Sequence, residues 1–144
     1  MTATPAGPCE GAQGLYGAIL QQAADAIIFA DREGVVRLWN QGAEAIFGYA
    51  AAEAIGQGLS LIIPEPLRRA HDQGFERAMA SGQLRNAGRV LTTRARGKDG
   101  GRLYIDFSFS LVTDAGGAVV GAVAIGRDCT ATWLEKAAQR AAAT

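Results

Sequence analysis

The chain has 144 residues, 49% of them hydrophobic and 19% charged, which predicts one folded domain and excludes a disordered chain. A domain of this size buries roughly 68–70% of the surface its unfolded chain exposes. Lys+Arg is 14 and Asp+Glu is 14, so the net charge is zero and the basic footprint of a general nucleic-acid binder is missing.

Residues 1–10 carry Pro5 and Pro8 and no periodicity, and read as a disordered leader. Leu15, Ile19 and Ala23 recur every fourth residue, which predicts a flanking helix over 11–24. Residues 26–30 and 35–39 read as two strands joined by a turn at Asp31–Gly34. Asn40 is placed to cap a helix over 41–47 that Gly48 ends. A short helical piece follows at 51–55, then the apolar run 59–63. Residues 66–81 form the longest helical pattern and stop at Gly82.

Three strands are predicted next, over 84–96, 102–112 and 118–127. In the second, Leu103, Ile105, Phe107, Phe109 and Leu111 alternate with polar or amphipathic residues, the pattern of a sheet with one buried face. Thr130 is expected to cap a last helix over 131–143. The order predicts an α+β fold, a five-stranded antiparallel sheet with helices on one face.

No apolar run nears the roughly 20 residues of a membrane span, and Met1–Gly14 has no signal-peptide pattern, so a cytoplasmic protein is expected. Cys9 and Cys129 are too few for a disulfide framework. The single histidine, His71, excludes a two-His zinc site and a His–His phosphorelay. His71 and Asp72 point about 100° apart on a helix, so no orienting pair is expected between them. The glycines are scattered at element ends and form no phosphate loop. No constellation of an enzyme is present, and none is expected.

The stretch ADREGVVRLWNQGAEAIFGYAAAEAIGQ (30–57), the KDG turn (98–100) and the closing GRDCT (126–130) resemble a PAS domain. The resemblance covers about residues 15–130. It implies a PAS fold over 25–129, a leader at 1–10, a flanking helix at 11–24 and an output-type helix at 130–144. It also implies a sensory module whose sheet and helices enclose a ligand pocket.

PEPLRRAHDQGFERAMASG (64–82) resembles the helix of haem-binding oxygen-sensor PAS domains. That likeness implies haem b, with His71 as the proximal iron ligand and Arg77 and Arg85 as propionate partners. It implies a distal wall of Arg89, Leu91, Phe107, Phe109 and Ile125. Leu91 falls at the oxygen sensors' distal arginine, while Arg89, two residues earlier, falls where a second group of haem PAS proteins has a methionine ligand. The two phenylalanines either line the cavity or fill it. The light-sensing relatives' cysteine-bearing helix has no counterpart here, which argues against a flavin photoreceptor. Asp128 and Thr130 match the family's Asp-x-Thr junction, with Arg127 a candidate partner of Asp128.

The expected function is therefore a stand-alone sensor of O2, CO, NO or redox state. The alternative is a haem-free module that binds a small apolar metabolite or acts by protein–protein contact. Trp133, Leu134 and Ala137, with Leu15 and Ile19, form apolar faces that either pair two copies or cover their own sheet. A signalling partner in trans is expected, with no nucleic acid and no membrane.

Overall fold

The computed structural model describes residues 8–143, with side chains from residue 13 onward. Helix α1 (Pro8–Gln22) precedes strands β1 (Ala26–Asp31) and β2 (Val36–Trp39). Helices α2 (Gln41–Phe47), α3 (Ala51–Ala54), a 3-10 turn (Leu59–Leu61) and α4 (Glu65–Ser81) follow. Strands β3 (Val90–Arg96), β4 (Arg102–Thr113) and β5 (Val119–Asp128) lead into α5 (Thr130–Ala142). The sheet is antiparallel throughout, in the order β2-β1-β5-β4-β3.

Several boundaries differ from the sequence reading. Helix α1 already starts at Pro8 and stops at Gln22, so the predicted leader shrinks and its first seven residues lie outside the described ones. Thr130 is the first residue of α5 and not its cap. Strand β3 begins at Val90, because residues 85–88 form a turn and Gly88 takes a φ of +77°.

One face of the sheet carries the core. Ala26, Ile28, Ile105 and Phe107 are buried there against Val36, Trp39 and Phe47. The rings run in series: Trp39 to Phe47 (5.5 Å), Phe47 stacked on Phe107 (6.5 Å), and Phe107 to Phe109 (5.4 Å). Offset or tilted contacts of this kind add to the area term.

Asn40 is fully buried and ties four segments together. Its Oδ1 accepts from Ile27 N–H (2.8 Å) and Ala43 N–H (2.9 Å), the second being the predicted N-cap bond of α2. Its Nδ2 donates to the carbonyls of Leu20 (2.8 Å) and Asp25 (3.0 Å), which anchors the end of α1. A buried amide is tolerated because these bonds satisfy it.

On the sheet's other face, Trp133 of α5 stacks on Tyr104 of β4 (4.8 Å). Thr130 Oγ1 accepts from Tyr104 N–H, and Asp128 accepts from Thr130 N–H (2.9 Å) and hydroxyl (2.6 Å). Arg127 pairs with Asp25 (3.1 Å) and not with Asp128, whose carboxylate holds the turn into α5.

Candidate functional site

Helix α4 lies over the sheet without filling the space beneath it. Two chambers remain. The inner one is about 220 Å³ and lies between the sheet, the 3-10 turn and α4. Ile28, Ala30, Ile62, Leu67, Phe107 and Ala124 line it, and its surface is almost wholly apolar. The outer one is about 550 Å³ and opens toward the 82–89 loop, past Gly74, Arg77, Met79, Arg85 and Leu91. His71, Phe75, Phe109 and Ala122 border both. Only the outer chamber falls in the 300–1,000 Å³ range of ordinary ligand pockets.

His71 stands at this junction and also borders a third, shallower groove beside Gly34 and Ser60. Its side chain is 33% exposed. The ring lies near-parallel to Phe75 with centroids 6.2 Å apart. His71 Nδ1 is 3.3 Å from Asp72 Oδ1, so the two do approach, against the expectation from helix geometry alone. Their backbones diverge, but side-chain torsions bring the carboxylate round to the ring. A proton held on Nδ1 leaves the Nε2 lone pair free to bind a metal.

Arg77 and Arg85 are exposed at the rim of the outer chamber. Among the described residues, no ion-pair partner faces either guanidinium. A β-carbon at Gly74 would stand 4.0 Å from Arg77 Nη2, so the arginine folds back over the glycine. Phe107 is buried in the core and still reaches the inner chamber, and Phe109 borders both spaces. The phenylalanines therefore narrow the cavity without closing it.

Two predicted distal residues lie elsewhere. Ile125 is 42% exposed and pairs in register with Ile27 and Ser108, on the outer face of the sheet. The chamber side of β5 belongs to Ala122 and Ala124, because side chains alternate faces. Arg89 is exposed, lies in the loop before β3, and borders neither chamber.

The sequence reading missed Leu67 and Phe75, which flank His71 at four-residue spacing on the same helix face. That stripe was the available signal. The alanines of β5 gave none, since small residues are apolar on either face.

The donor set suits haem. One imidazole is a single ligand, which fits a metal that arrives with its other donors in a ring. Among the described residues, no cluster of three or more His, Cys, Asp or Glu stands ready to hold a bare metal ion. The outer chamber beside the imidazole is mostly apolar, and Arg77 and Arg85 at its rim have no ion-pair partner among the described residues, which matches a flat apolar ring carrying carboxylates.

The family model described as PAS fold matches residues 14–129. The Sensor protein FixL of Bradyrhizobium diazoefficiens is 35% identical over 80 residues, 54% of this chain and 16% of that protein. The Oxygen sensor protein DosP of Escherichia coli is 27% identical over 125 residues, 87% of this chain and 15% of that protein. The chain thus spans about one sixth of these relatives' length. The crystal structure of a PAS domain from Colwellia psychrerythraea superposes with a TM-score of 0.72 at 24% identity, covering 83% of this chain and 98% of that one.

Proposed function

The chain belongs to the PAS family, and from that premise we propose that it is a haem-based sensor of a diatomic gas or of redox state, acting as a ligand-binding module and not as a catalyst. The observation that carries this reading is the placement of His71. It is the chain's one histidine, and it borders both chambers with Nδ1 turned toward Asp72. Haem b, when bound, supplies an iron with a position for gas.

The chain's own residues have distinct roles. His71 gives the proximal nitrogen, and the Asp72 carboxylate holds the ring's other nitrogen and fixes its orientation. Arg77 and Arg85 bind propionates at the rim. Phe107 and Phe109 keep the inner space dry, and Leu91 lines the outer one. Ligand binding presses on β4 and β5, which lead into α5 through the Asp128–Thr130 junction. The relative named as an oxygen sensor supports the gas assignment.

In this reading the protein is cytoplasmic, passes its signal to a partner in trans, and pairs with a second copy through α1 and α5. No described helix is long and apolar enough to cross a membrane. Leu15 and Ile19 are 59% and 60% exposed and Leu134 is 55% exposed, while Trp133 is engaged on its own sheet.

A titration with haemin tests the assignment. Saturation at one haem per chain, with His71→Ala weakening binding by about tenfold or more, is the expected result. A second reading draws on the inner chamber's small size: a haem-free module that takes a compact apolar metabolite there. Absence of haem uptake, together with binding of a small apolar probe, would select it.

A further inference from the structure

Arg32 sits in the turn between β1 and β2 and reaches two elements distant in sequence. Its Nη1 donates to the Val119 carbonyl at the start of β5 (2.8 Å). Its Nη2 donates to the Met79 carbonyl in the last turn of α4 (3.3 Å). A guanidinium presents its donors in a fixed planar fork, which suits it to hold two carbonyls at once. The Met79 carbonyl lies at the negative end of the α4 dipole, so a cation there is favourable.

The turn that carries Arg32 is itself braced. The Asp31 carboxylate accepts from Glu33 N–H (2.9 Å), Val35 N–H (3.1 Å) and Arg37 Nε (2.8 Å). Gly34 takes a φ of +79° and its N–H closes the turn on the Asp31 carbonyl (2.9 Å). The anchor point for the arginine is therefore stiff.

Helix α4 is the outer wall of both chambers, with open space along its inner side. Near its start it is tied by Arg68 Nε to the Ile63 carbonyl (2.9 Å). Among the described residues, Arg32 is the one side chain of another element whose hydrogen bond lands on α4. Met79 and Ala122 both border the outer chamber. A molecule lodged there presses between the two elements that the guanidinium joins.

We propose that Arg32 is a latch. It pins the last turn of α4 to the start of β5, holds that wall of the outer chamber in place, and lets the turn lift when it releases. The latch goes beyond the sensor reading and holds whichever ligand the chamber takes.

Amide hydrogen exchange of the ligand-free protein tests it. In Arg32→Gln, amides of 78–82 are expected to exchange at least about tenfold faster, while those of 103–109 in β4 keep their wild-type rates. Arg32→Lys keeps the charge but offers one nitrogen, and is expected to fall between the two. Arg127→Gln, at the far end of the same sheet, should leave α4 unchanged. Wild-type exchange at 78–82 in Arg32→Gln, or an equal rise over the whole chain, overturns the latch. If Arg32→Gln does not fold, Arg32→Lys carries the same comparison.

Discussion

Gly126 and Phe107 face each other across β5 and β4, and a β-carbon at 126 would stand 2.4 Å from Phe107 Cε1. The ring lies over the space a side chain would occupy. Glycine at 126 is therefore what lets Phe107 lie back against the sheet, between Phe47 and Phe109, and leave the inner chamber open. Gly126→Ala should push the ring off this seat and cost about 1–3 kcal/mol of stability, read from urea unfolding. Adding Phe107→Leu should recover part of that loss, since the two residues share one space. Simple additivity of the two costs would show that they do not.

Asn40 offers a second test. Its amide satisfies backbone groups of α1, β1 and α2 from a fully buried position. Asn40→Ala removes a helix cap and leaves buried N–H and C=O groups unpaired, so a loss of at least about 2 kcal/mol is expected. Circular dichroism should show α1 loosening before the sheet. A stability near wild type would mean that other groups replace the amide.

Asp31 makes the fold sensitive to acid. The hydrogen bond from Arg37 holds its carboxyl below the ordinary value of 3.8; partial burial opposes this, and the Val35 and Glu33 N–H groups reinforce it. A carboxyl whose folded pKa is depressed contributes stability above its unfolded value and loses it as pH falls through the folded one. Stability should therefore decline from about pH 5 downward, and Arg37→Gln should flatten that decline. The check is the urea midpoint followed with pH in both proteins. Equal slopes would remove Asp31 from the account.

Self-association is the fourth prediction. Leu15 and Ile19 expose apolar surface on α1. If that surface pairs two copies, sedimentation should show a concentration-dependent dimer that Leu15→Asp with Ile19→Asp abolishes. A monomer at every concentration, or a dimer indifferent to the change, contradicts the pairing.

The parts of this molecule that were legible in the sequence are those where one face is wet. Strand β4 alternates cleanly because its outer face carries Asp106, Ser108 and Ser110, and its pattern located the chamber wall. Strand β5 lies between β1 and β4 with apolar groups on both faces. Alternation vanishes there, and Ile125 was assigned to the wrong side. Arg89 was misplaced because the Gly88 turn delays β3. The Arg127–Asp25 pair joins residues about a hundred positions apart, which no local pattern encodes. The latch at Arg32 was hidden for the same reason.

His71 remains the point on which the functional account turns. The most direct measurement is the absorption spectrum of the haem-loaded, reduced protein before and after carbon monoxide, compared with His71→Gly. The account predicts a Soret band in the native chain that shifts with the gas, is lost or displaced in His71→Gly, and returns when imidazole is added. A native chain without a Soret band, or one whose band is the same with glycine at 71, would contradict it.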